Sequence, residues 1–77
     1  MMKKDARRVR FEVVAARRVQ KVIDFLDSLG NCANRANYEY TDEDIRKMFK
    51  AINEQLSITK NAFDKQLSKE GKNSFKF

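Results

Sequence analysis

The chemistry open to this chain is that of its cations. Seventeen Lys and Arg stand against eleven Asp and Glu, a formal net charge of +6 over 77 residues. Lys3, Arg7, Arg10, Arg17 and Lys21 recur at spacings that gather them on one arc of a helix, with Arg8 and Arg18 flanking it. Aligned cations over several helical turns can track a phosphate backbone. The planar fork of Arg, the commoner cation of this stripe, suits phosphate. The same stripe also fits a solvated helix face or a surface that docks on an acidic protein. No aromatic is interleaved with the arginines, which argues against stacking on single strands.

Other chemistries lack their residues. The chain has no His and a single cysteine, Cys32, so a tetrahedral zinc site, an internal disulfide and Ser–His or Cys–His nucleophile pairs are excluded. Gly30 and Gly71 lie far apart in sequence, and no Gly-rich phosphate loop exists. Asp42, Glu43 and Asp44 are consecutive, so on a helix their carboxylates diverge by about 100° per residue and do not converge on a metal. No cofactor is implied, and a chain this short has little room for an enclosed catalytic pocket. The expected class is non-enzymatic. The longest apolar run, Val13-Val14-Ala15-Ala16, is too short for a signal peptide or a membrane span, so a soluble cytoplasmic protein with no membrane contact is expected. A reduced Cys32 suits that compartment.

Two helices must position these residues. Phe11, Ala15, Val19, Val22, Leu26 and Leu29 form a heptad-like seam that Ile23 widens. Leu29-Gly30-Asn31 reads as a stop, with Gly30 in the left-handed conformation of a helix C-cap. Val9, Phe11 and Val13 alternate with Arg8, Arg10 and Glu12, which is strand periodicity. A strand over 8–14 followed by two helices would follow the ribbon–helix–helix plan, in which paired strands enter the major groove. No breaker separates Val13 from Arg18, so one continuous helix over about residues 4–29 is the preferred reading. Ile45, Met48, Phe49, Ile52, Leu56, Phe63 and Leu67 form a second seam, with Thr59 filling its gap, on a helix over about residues 42–67. Thr41 is its expected N-cap, Asp44 the far member of a capping box, Tyr40 and Ile45 a hydrophobic staple, and Asp42 to Asp44 complement the helix dipole.

The connection, Gly30 to Tyr40, is long for two packed helices and rich in Asn, a turn residue. It reads either as a recognition loop carrying Arg35, Tyr38 and Tyr40, or as structural, with the Asn side chains satisfying backbone groups and Tyr38 covering the end of the core. Ser28-Leu29-Gly30-Asn31, Ala33-Asn34-Arg35, Asn37-Tyr38, Tyr40-Thr41, Asp44-Ile45, Lys47-Met48-Phe49 and Ala51-Ile52 together resemble a pattern in small bacterial helical proteins. Those pair a basic first helix with a loop of the type Gly-Asn-x-x-Asn-Arg-x-Asn-Tyr-x-Tyr. The resemblance implies a shared helix–loop–helix and a bacterial or mobile-element setting. It assigns no activity and no functional residue.

The expected fold is therefore all-α: an antiparallel helical hairpin forming a single domain over 1–67, with a flexible basic tail over 68–77. Val9, Val13 and Ala16 lie off the first seam, and a hairpin buries one stripe per helix. That second patch points to self-association, most simply a homodimer completing a bundle, or to another partner. The leading function is a helical module that associates with nucleic acid, with Lys3, Arg7, Arg10, Arg17, Lys21 and Arg35 as contacts. It would serve as an accessory or regulatory protein of a bacterial mobile element. The alternative is an adaptor or inhibitor that docks its basic helix on an acidic partner surface.

Overall fold

A computed structural model describes residues 5–71, with side chains to residue 69. Lys3 and residues 72–77 of the expected tail lie outside the described residues. The described residues form two α-helices, α1 (Ala6–Gly30) and α2 (Asp42–Gly71), with a 3-10 turn at Asn31–Ala33 and no strand. The chain divides into two units, residues 1–39 and 40–77, each built on one helix.

In the first unit α1 runs unbroken for 25 residues. The alternation over 8–14 is thus overridden by the lack of any Gly or Pro until Gly30: no residue interrupts the ladder, and the β-branched residues are tolerated within it. The helix starts two residues later than its periodicity predicts, because Asp5 caps it. Asp5 is extended (φ −61°, ψ 138°), and its carboxylate accepts the Arg7 backbone N–H at 2.7 Å.

Gly30 departs from expectation. It is right-handed (φ −59°, ψ −26°), and no described glycine has positive φ. The helix tightens instead into the 3-10 turn: the Asn31 N–H bonds to the carbonyls of Leu29 and Ser28. The stop is four residues beyond Gly30, at Asn34, which turns extended (φ −67°, ψ 105°). Its side-chain oxygen accepts the Ala36 N–H at 2.9 Å, and its carbonyl accepts the N–H groups of Asn37 and Tyr38 at 3.1 and 3.0 Å. This Asx turn does the work sequence reasoning had assigned to glycine.

In the second unit α2 starts where its caps place it. Thr41 and Asp44 close a reciprocal box: the Asp44 N–H donates to Thr41 Oγ1 at 3.1 Å, and the Thr41 N–H donates to Asp44 Oδ2 at 2.9 Å. Tyr40 and Ile45, the staple pair, are both half-buried. Asp42, Glu43 and Asp44 occupy the first turn and Lys69 the last, each matching the dipole. The helix reaches Gly71, four residues past its expected end at about residue 67.

No described residue is fully buried. The best covered positions, among them Ala15, Leu29, Ile45, Met48 and Ile52, belong to the two seams and are half-buried by their own helices.

Candidate nucleic-acid interface

At about 100° per residue, α1 presents three strips roughly 120° apart. One is the seam from Phe11 to Leu29. The second is the Val9/Val13/Ala16 patch, in which all three residues are exposed. The third holds Arg7, Arg10, Arg17 and Lys21. Capped by Asp5 and unbroken to Gly30, the helix holds these cations on one rigid arc, and Arg10 to Lys21 covers about 16 Å of axis.

The cations are not equivalent. The guanidinium of Arg7 is held by Asp5, with Nη2 at 2.9 Å from Oδ2 and Nε at 3.3 Å from both oxygens. The Arg7 side chain, followed by its backbone N–H, keeps the Asp5 carboxyl below its ordinary value of 3.8. Arg8, expected beside the stripe, faces the seam. Its Nε bonds to Glu12 Oε2 at 3.0 Å, and its guanidinium carbon sits 5.6 Å from the centre of the Phe11 ring. Arg8 therefore leaves the candidate face. The side chains of Arg10, Arg17, Arg18 and Lys21 make no ion pair or hydrogen bond among the described residues. These four side chains can give their donors to an external anion without breaking a bond.

Arg35 lies in the turn that Asn34 organises, on the segment between the helices. Tyr38 is exposed and covers no core. The Asn-rich connection thus follows its structural reading at Asn34, whose side chain and carbonyl both bond backbone amides.

No protein-family model, curated protein or solved structure matches the chain. The assignment of this face rests on its own geometry. Among the described residues no helix is long and apolar enough to cross a membrane, and no three His, Cys, Asp or Glu residues gather as a metal site. Cys32 is exposed in the 3-10 turn and unpaired to any cysteine.

Sequence reasoning missed two residues on the basic strip. Val14 lies between Arg10 and Lys21 and is half-buried along the helix surface. Phe25 follows Lys21 by one turn and is 73% exposed. Both are visible once the wheel is drawn from the cations outward and not from the seam. An aromatic does stand beside the arginines, at the C-terminal end of their stripe.

Proposed function

We propose that this chain is a non-enzymatic helical module that associates with nucleic acid through the basic strip of α1. The observation that carries this reading is the set Arg10, Arg17 and Lys21 on one exposed arc, with Arg18 flanking it, all without a carboxylate partner among the described residues. Cations already paired contribute little to an anion site, because a phosphate must then displace a carboxylate. Unpaired ones gain the full release of counterions from the polyanion. The contacts are to phosphate, so they orient the helix and carry no base information.

The fold that completes this module is an antiparallel hairpin whose seams meet, extended to a bundle by self-association through Val9, Val13 and Ala16. In support, each helix has a seam and none of it is fully buried within the described chain. The resemblance of the connection to small bacterial helical proteins supports a bacterial or mobile-element setting, and in that setting the module would act in the cytoplasm as an accessory or regulatory protein. The competing reading, an adaptor or inhibitor docking on an acidic protein, draws on the same strip and on the apolar Val14 within it.

Binding of labelled duplex, single-stranded DNA and RNA across a salt series tests the proposal. Arg10, Arg17 and Lys21 are changed together to Gln, and Arg7 is left in place because it braces the Asp5 cap. Binding weakens similarly across sequences. The slope of log affinity against log salt flattens by about 2 on a single strand and nearly 3 on a duplex. A wild-type chain that binds no nucleic acid at moderate salt, yet retains an acidic protein on purification, sinks the nucleic-acid reading in favour of the adaptor.

A further inference from the structure

We infer that Phe25 is a base-stacking anchor and that the strip's occupant is a single-stranded polynucleotide, an inference that rests on the phosphate reading of the strip. Phe25 shares the arc of Arg18 and Lys21, one turn beyond Lys21 and two beyond Arg18, and it is the most exposed large apolar side chain among the described residues at 73%. It borders the seam, one turn from Val22 and Leu29, and stands beside cations that have no partner among the described residues. A duplex keeps its bases stacked on one another and offers an exposed phenyl ring only sugar and phosphate. A single strand offers both groups that the strip would take: phosphates for Arg10, Arg17, Arg18 and Lys21, and a free base face for the ring. With about 16 Å from Arg10 to Lys21 and one further turn to Phe25, the strip spans a few nucleotides and ends on an aromatic. Stacking uses the base face and the cations use phosphate. The strip therefore recognises features that DNA and RNA share, and short strands of either are expected to bind alike.

The chain contains no Trp, so Phe25→Trp places a single fluorophore at the anchor. Its emission should be quenched on titration with a ten-nucleotide oligo-dT or oligo-U and should change little with a duplex of equal length. Phe25→Leu keeps an apolar side chain and a good helix former but removes the π-face. It should weaken single-strand binding about tenfold while leaving the salt slope and duplex affinity unchanged. Helix content by circular dichroism checks that both variants fold. If Phe25→Leu is neutral and the Trp is not quenched, while the Arg10/Arg17/Lys21 variant still loses binding, the anchor is refuted and the phosphate strip stands. If no nucleic acid binds at all, both fall. If the Trp emission shifts to the blue with rising protein concentration in the absence of nucleic acid, a second copy covers Phe25 and the anchor is refuted in favour of a protein contact.

Discussion

Gly30→Ala separates two accounts of how α1 ends, because they give opposite signs. Gly30 is right-handed at φ −59° and ψ −26°, and a Cβ placed on it meets no other atom within 4 Å outside its immediate neighbours and helix backbone. Alanine therefore fits without strain, restricts the unfolded chain and raises helix propensity. The expected gain is about 0.5–1 kcal/mol, the lower part of the range applying because the position lies in the last turn. For a chain of this size that raises the thermal midpoint by about 2–8 °C. A left-handed Gly30 would reverse the result, since a Cβ there costs about 1–2 kcal/mol. Thermal and urea unfolding, followed by far-ultraviolet circular dichroism at one fixed protein concentration, read the difference; the concentration is held because association shifts apparent stability. A loss of stability in Gly30→Ala would refute the right-handed ending and restore the glycine cap.

Thr41→Ala should cost about 1 kcal/mol and speed amide exchange at the start of α2, whereas Thr41→Ser should be close to neutral; if Ser28→Ala or Asn37→Ala costs as much while Thr41→Ala does not, the helix start is misplaced. The Asp5 cap should weaken in acid. Its carboxyl is held below 3.8, so its contribution is complete above that value and is lost as pH falls through the lowered one. The protection factor of the Arg7 amide, taken against its intrinsic exchange rate, should fall on acidification, and Asp5→Asn should remove that dependence; a protection factor in the wild type that does not change with pH argues against the cap. Sedimentation at tens of micromolar should show more than the monomer mass, and Val13→Glu should reduce it. A sharp monomer at every concentration would refute self-association.

The parts of the fold set by bonds between near neighbours in sequence were legible. Thr41 and Asp44 lie three apart because each can reach the other's backbone N–H, and no distant residue is needed to complete the box. The unbroken α1 was legible for a similar reason, from the absence of any breaker between Ala6 and Gly30. Gly30 was misread because its type permits a left-handed turn without requiring one. The decision lay with Asn34, four residues on, whose side chain accepts the Ala36 amide and whose carbonyl accepts those of Asn37 and Tyr38. At the candidate site, the arc of Arg10, Arg17 and Lys21 followed from period alone. Which cations were already engaged did not, because Arg7 and Arg8 are taken by Asp5 and Glu12 through side-chain rotamers that periodicity does not specify. Phe25 lies on the wheel between the first seam and the cations, and only its exposure beside Lys21 marks it as part of the basic strip.

The open seams have a consequence for turnover. Most of a helix's stability in a protein comes from what packs against its apolar stripe and not from intrinsic propensity. Each helix here leaves that stripe without a fully buried residue, so a chain made in excess of whatever covers it spends more time with its amides open. Proteases act on that population. The lifetime of the chain in a cell thus becomes a function of occupancy: covered copies persist, surplus copies are cleared, and the amount held is set by the capacity to cover it as much as by the rate of synthesis.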